Sequence, residues 1–159
     1  IDMKKTIIWS ATICFILDQL SKWIVVQWLD LLTLESISVI PGFIHFHMAW
    51  NTGINFGLFA NNGEIARWVL IAVAVLMSGF IAFWMRNEVR TIALISAGLV
   101  IGGAVGNAID RLIYGGVADF LNVTCCGIRN PFSFNVADIA IFLGLLGIIF
   151  FATDSKKES

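Results

Sequence analysis

Apolar residues run through this chain in long blocks rather than in the short alternating stretches of a soluble domain. Residues 68–85 and 91–109 contain no Asp, Glu, Lys or Arg, runs of 18 and 19 positions. At about 1.5 Å per helical residue each run reaches about 27 Å, close to a hydrocarbon thickness of about 30 Å. Both therefore predict membrane-spanning helices. Two further apolar blocks, Thr6–Leu29 and Phe134–Phe151, are interrupted only by Asp18 and Lys22 in the first and by Asp138 in the second. The pattern predicts an all-α membrane protein, a bundle of four transmembrane helices with spans at about 6–29, 68–85, 91–111 and 135–152. Outer loops 30–67 and 112–134 complete one integral membrane domain over residues 3–157, and Ile1-Asp2 read as a remnant ahead of a native start at Met3. Lys4-Lys5 before Thr6–Leu17 also have the outline of a cleavable leader. No small-x-small site follows Leu17, however, and apolar character resumes at Trp23, so a retained helix is expected.

Between the first two spans the pattern changes from block to alternation. Ser38–Trp50 is rich in β-branched and aromatic residues, with Pro41-Gly42 as a turn, and predicts short strands in a small extracytoplasmic β-sheet between helices 1 and 2. Asn51–Gly57 follows with two Asn and two Gly, types that tolerate unusual backbone angles.

Composition sharpens this picture. The chain of 159 residues is 58% apolar and 13% charged, against roughly 25% charged in soluble domains. Ten basic residues balanced by eleven acidic ones leave no excess for a nucleic-acid footprint. The basic residues instead set a topology: Lys4 and Lys5, Arg86 and Arg90, and Lys156 and Lys157 fall at one end of an even-numbered bundle. The positive-inside rule makes that end, with both termini, cytoplasmic; Arg67, Arg111 and Arg129 are exceptions. Trp28, Trp50 and Trp68 fall near the outer span ends, where indole rings favour the interface. Cys14, Cys125 and Cys126 are odd in number, and the adjacent pair makes no disulfide framework.

With charge this scarce, each carboxylate in or beside the bilayer needs a reason, since its insertion costs roughly 2.5 to 3.5 kcal/mol. Asp18 and Lys22 are four apart, share one helix face and neutralise each other. Asp110 is followed directly by Arg111, but successive helical residues do not face each other, so each needs another partner. Asp119, placed in the loop after the third span, and Asp138, opening the fourth, have no basic residue three or four positions away. Taken alone, Asp138 reads equally well as a helix N-cap and Asp119 as a solvated loop carboxylate. Together, at one depth on one side, they form a pair that cannot both ionise: one takes a proton from water while the other gives one, with no metal or covalent intermediate. His45 and His47 share a strand face but lack the further ligands of a zinc site; no metal or cofactor is expected. The competing readings are a proton- or ion-coupled transporter relaying through intramembrane carboxylates, and a non-catalytic scaffold. The absence of an inverted repeat speaks against the first, and two unpaired carboxylates against the second.

Five motifs carry a resemblance to a known family. They are Asp18-Gln-Leu-Ser-Lys22, Asn51-Thr-Gly-Ile-Asn-Phe-Gly57, Gly102-Gly-Ala-Val-Gly-Asn-Ala-Ile-Asp-Arg111, Gly116-Val-Ala-Asp-Phe120 and Phe134-Asn-Val-Ala-Asp138. In this order and spacing the chain resembles bacterial lipoprotein signal peptidase (signal peptidase II), an intramembrane aspartic protease family. The resemblance implies that Asp119 and Asp138 are the catalytic dyad. It implies that Asn51, Gly53, Gly106, Asn107, Arg111, Asn135 and Ala137 line or support the site, and that Asp18 and Lys22 are the first-helix pair. The implied substrate is a prolipoprotein in the bacterial inner membrane, cut before a diacylglyceryl-modified Cys near the outer face, by a monomer in contact with membrane lipid. Asn55 stands where the family usually has Ala, and Val123–Pro131, with Cys125-Cys126, follows no family pattern. Gly102 and Gly106, four apart, also predict a close helix contact.

Overall fold

The computed structural model describes residues 3–53, 63–124 and 130–152. Ile1-Asp2, Asn55, Cys125-Cys126, Arg129, Lys156 and Lys157 lie outside the described residues. Helix α1, Met3–Lys22, continues into a π-helical segment, Trp23–Trp28, and a single turn α2, Leu31–Leu34. Strands β1, Ser36–Ile40, and β2, Ile44–Asn51, form a hairpin. Helix α3, Gly63–Trp84, then ends in a 3-10 turn, Met85–Asn87. Helix α4, Thr91–Tyr114, leads into β3, Val117–Val123, and α5 is Val136–Phe151.

Among the described residues three helical stretches are long and apolar enough to cross a membrane: Lys4–Trp28, Gly63–Asn87 and Thr91–Tyr114. Helix α5 is apolar but has 16 residues, about 24 Å. The second stretch begins at Gly63 rather than at Trp68. Glu64 and Arg67 interrupt an uncharged run without interrupting a helix: the two pair with each other at 3.8 Å, and Arg67 Nη2 donates to the Leu112 carbonyl at 2.8 Å. The third runs on to Tyr114, where Gly115, at φ +79°, reverses the chain.

The sheet has three antiparallel strands in the order β1-β2-β3, and this corrects the sequence reading in one respect. The segment expected as a plain outer loop after the third span supplies β3, so Asp119 sits on a strand, opposite Ala49 of β2. Alternation could not reveal it, because Val117, Ala118, Asp119, Phe120 and Asn122 are all buried; a strand covered on both faces has no polar side. Phe120 meets Phe46 edge-on, with ring centroids 5.6 Å apart, over Val25 and Leu31.

Helix α4 is the centre of the bundle, and small residues let its neighbours close in. A Cβ on Gly102 would collide with the Ala11 carbonyl, and one on Gly106 would stand 2.7 Å from Asp18 Oδ2. One on Gly103 would stand 2.7 Å from the Ala137 carbonyl. Helix α1 therefore runs parallel to α4, and α5, whose Gly144 meets Ser96 and Val100, runs antiparallel. In lipid such packing rests on van der Waals fit rather than on water release, which suits an exterior of exposed residues such as Leu76, Phe142 and Phe150. At one end of the bundle Lys4 and Arg86 line one cavity, and Arg90 reaches the carbonyl of Phe151. The sheet and the buried carboxylates occupy the other end.

Candidate active site

Four elements converge where α1, α4 and α5 meet the sheet. Asp119 reaches the site from β3. Asn51, on the same face of β2 as Ala49, lies diagonally across from it, and Asn51 Nδ2 donates to Asp119 Oδ2 at 3.0 Å. Asp138 arrives on the first turn of α5. It is not the N-cap; Asn135 is, and Asp138 is its capping-box partner. Asn135 Oδ1 accepts the Asp138 N–H at 3.0 Å while Asp138 Oδ2 accepts the Asn135 N–H at 3.2 Å. The other carboxylate oxygen, Oδ1, receives Asn107 Nδ2 of α4 at 2.9 Å. Capping thus occupies one oxygen of Asp138 and leaves the other facing the Asn107 amide.

Asn135 bridges the two carboxylates. Its backbone and carbonyl oxygen hold Asp138, and its Nδ2 donates to Asp119 Oδ1 at 2.6 Å and to Asn107 Oδ1 at 3.2 Å. Each of the three asparagine amides has its oxygen taken by a donor, which turns its NH₂ toward a carboxylate. Gly53 N–H takes Asn51 Oδ1 at 3.0 Å, Asp138 N–H takes that of Asn135, and Lys22 Nζ takes that of Asn107 at 3.3 Å. Gly53 makes its contact from φ +80°, a conformation that favours glycine.

Asp119 is buried. Burial, and then the nearby Asp138 charge, push its carboxyl up to about 6 from an ordinary 3.8, against the opposing pull of the Asn51 and Asn135 amides and Lys22. That is the electrostatic behaviour of two acids sharing one space. Arg111 lies within electrostatic range of Asp119, Asp138 and Asp110. Its Nη1 donates to the Asn107 carbonyl at 3.1 Å, and its Nε is buried with no partner among the described residues, so it keeps donor capacity beside the pair.

Behind the site lies the first-helix network. Lys22 Nζ contacts Asp18 Oδ2 at 2.7 Å and Asp110 Oδ2 at 2.6 Å. Asp110 thereby finds the second partner that its neighbour Arg111 could not be. Asp18 Oδ1 accepts the Ala137 N–H at 2.9 Å. Every position anticipated from the sequence, Asp18, Lys22, Asn51, Gly53, Gly106, Asn107, Arg111, Asp119, Asn135, Ala137 and Asp138, falls in this one region. Gln19 was not anticipated: its Nε2 bridges Asp18 Oδ2 at 3.1 Å and Asp110 Oδ1 at 3.0 Å. Its place beside Asp18 in the first-span motif was the available signal. His45 and His47 sit on β2 opposite Ser38 and Ser36.

Known proteins resemble this chain along most of its length. The family model described as signal peptidase (SPase) II matches residues 10–153. A lipoprotein signal peptidase of Methylobacterium radiotolerans is 37% identical over 151 residues, covering 94% of this chain and 87% of that protein. One from Alteromonas mediterranea is 38% identical over 155 residues, covering 95% and 83%. Two solved structures described as a bacterial membrane enzyme, determined by the in meso method at 2.3 and 1.9 Å, share the fold at 24% identity. Their TM-scores are 0.72 and 0.76, over 98% and 92% of this chain and 94% and 91% of theirs.

Proposed function

Because this chain belongs to the signal peptidase II family, a family of bacterial membrane proteases, we propose that it removes signal peptides from prolipoproteins with Asp119 and Asp138 as its reacting pair. The bond cut is the one before the diacylglyceryl-modified Cys. The observation that carries this reading is the Asn135 bridge, which holds buried Asp119 and part-buried Asp138 in one donor-lined space, with no cation among the described residues in salt-bridge contact with either. One ionised carboxylate takes a proton from water as the water oxygen attacks the scissile carbonyl, and the protonated partner donates to the developing oxyanion. The tetrahedral adduct then expels the Cys amine, which leaves with a proton from the dyad. Arg111 supplies donors for the substrate backbone.

In this reading α5 is a fourth span and the chain is one integral domain. The end carrying Lys4, Arg86 and Arg90 faces the cytoplasm, and the site opens near the outer face of the inner membrane, where the lipid-bearing Cys would lie. The protein works as a monomer, in contact with lipid and without a cofactor. An ion-relay role is not favoured: the carboxylates gather at the sheet end, and Asp18, the one nearest mid-span, is engaged by Lys22 and Ala137.

The test is to incubate the purified chain in detergent with a diacylglyceryl-modified prolipoprotein and with its unlipidated precursor, and to weigh the products. Release of a signal peptide ending immediately before Cys, from the lipidated form only, supports the proposal. Cleavage elsewhere, or equal cleavage of both forms, contradicts it.

A further inference from the structure

We propose that Lys22 is a positioning residue for Asp138: its ammonium fixes which way round the Asn107 amide sits, and so keeps an N–H aimed at the Asp138 carboxylate. The proposal rests on the reading of Asp119 and Asp138 as the reacting pair. Lys22 touches neither of them. Its ammonium donates to Asp18 Oδ2 at 2.7 Å and to Asn107 Oδ1 at 3.3 Å, and stands in ion-pair contact with Asp110 Oδ2 at 2.6 Å. An ammonium has no acceptor, so a reversed Asn107 would set its NH₂ against the Lys22 N–H that it now accepts and turn its carbonyl oxygen on Asp138. Asn135 Nδ2, at 3.2 Å from Asn107 Oδ1, favours the same orientation but is itself shared with Asp119.

The orientation matters because a carboxylate that faces N–H donors is stabilised ionised, whereas one that faces a carbonyl oxygen is stabilised protonated. A base that must take a proton from water needs the first. The charged groups around Asp138 are Asp119 from β3 and Arg111 from α4; beyond the Asn107 amide stand Lys22 and Asp18 of α1 and Asp110 of α4. Two carboxylates, Asp18 and Asp110, flank the Lys22 ammonium. On its other side a cavity of about 190 Å³, lined by Gln19, Gln27, Asp110, Tyr114 and Trp50 among others, is roomy and polar enough to hold water.

The experiment uses the full chain and cleavage of the lipidated prolipoprotein across pH, with melting temperatures measured in parallel. Asp110→Asn serves as the reference background, so that both Lys22 variants made in it keep the wild-type net charge of the cluster and differ from each other only in the donor offered to Asn107. In that background Lys22→Met removes the donor to Asn107, while Lys22→Gln replaces it with an amide N–H. The Met variant is expected to lose about 10- to 100-fold in kcat, the size of one charge-assisted hydrogen bond. Its KM should change little, and the acid limb of its activity profile should move to higher pH. The Gln variant is expected to recover most of both. Equal kcat and equal acid limbs in the Met variant and the background overturn the proposal, as do equal losses in Met and Gln at every pH. Should the Met variant fail to fold, Gln decides alone: a kcat close to that of the background supports the role, and a loss as deep as that of Asn107→Ala overturns it.

Discussion

Asp18, in the first helix, accepts a hydrogen bond at 2.9 Å from the backbone N–H of Ala137, 119 residues further along the chain. That contact fastens the first turn of α5, and with it Asp138, to a helix that contributes no reacting group. The site is thus held from behind by a carboxylate that is fully buried and shared with Lys22.

Removing this contact should cost both stability and activity. Asp18→Ala deletes an acceptor for Ala137 N–H and one of the two counter-charges of Lys22, a loss of about 3 kcal/mol by the usual cost of breaking a buried ion pair. Asp18→Asn keeps an oxygen for Ala137 and should lose less. Thermal unfolding in detergent, followed alongside cleavage, checks the order wild type, Asn, Ala; equal melting temperatures for all three would show that the contact is dispensable.

Gly53 should prove sensitive for its backbone rather than its surroundings. At φ +80° a Cβ is strained whatever the space, and the atom it would strike is the flexible end of Leu70. Gly53→Ala should therefore leave the fold nearly intact while shifting the N–H that holds Asn51, at about 1 kcal/mol of backbone strain. The expected result is roughly a fivefold fall in kcat with little change in melting temperature. Unchanged kinetics would remove Gly53, and the Asn51 orientation it sets, from the account.

The proton balance of Asp119 gives a signed prediction. Its folded pKa, about 6, lies above the ordinary 3.8, so the folded state binds the proton more tightly than the unfolded chain does. The stability this confers is fully present below about pH 4 and is lost as pH rises through 6, up to about 3 kcal/mol in all. Melting temperatures measured from pH 4 to pH 7 should fall in the wild type and fall less in Asp119→Asn. The same titration sets the alkaline limb of kcat/KM for the free protein near pH 6, since loss of the shared proton disables the pair. A profile rising from pH 6 to 8 would contradict that proton assignment.

Much of this was legible in the sequence because charge in an apolar chain is costly and therefore informative. The uncharged runs at 68–85 and 91–109 located two helices, and Asp18 and Lys22 announced their pairing through their spacing. Gly102 and Gly106 announced the approach of α1. The features that spacing concealed depend on contacts between distant segments. Strand β3 is buried on both faces and leaves no alternation to read. Asp110 finds Lys22 from another helix, and the bridging role of Asn135 exists only once β3 and α4 stand on either side of it. Helix α3 begins ahead of the uncharged run, because Glu64 and Arg67 end that run but pair within a helix and across to Leu112.

The central claim is that Asp119 and Asp138 act as one catalytic unit, and the direct measurement is cleavage of a diacylglyceryl-modified prolipoprotein by the wild type, Asp119→Asn, Asp138→Asn and the double variant, each shown to fold by its melting temperature. The account predicts a loss of at least about 1,000-fold in either single variant and no further loss in the double, since residues that act as a unit are not additive. A folded single variant that still cleaves at the wild-type rate would contradict it.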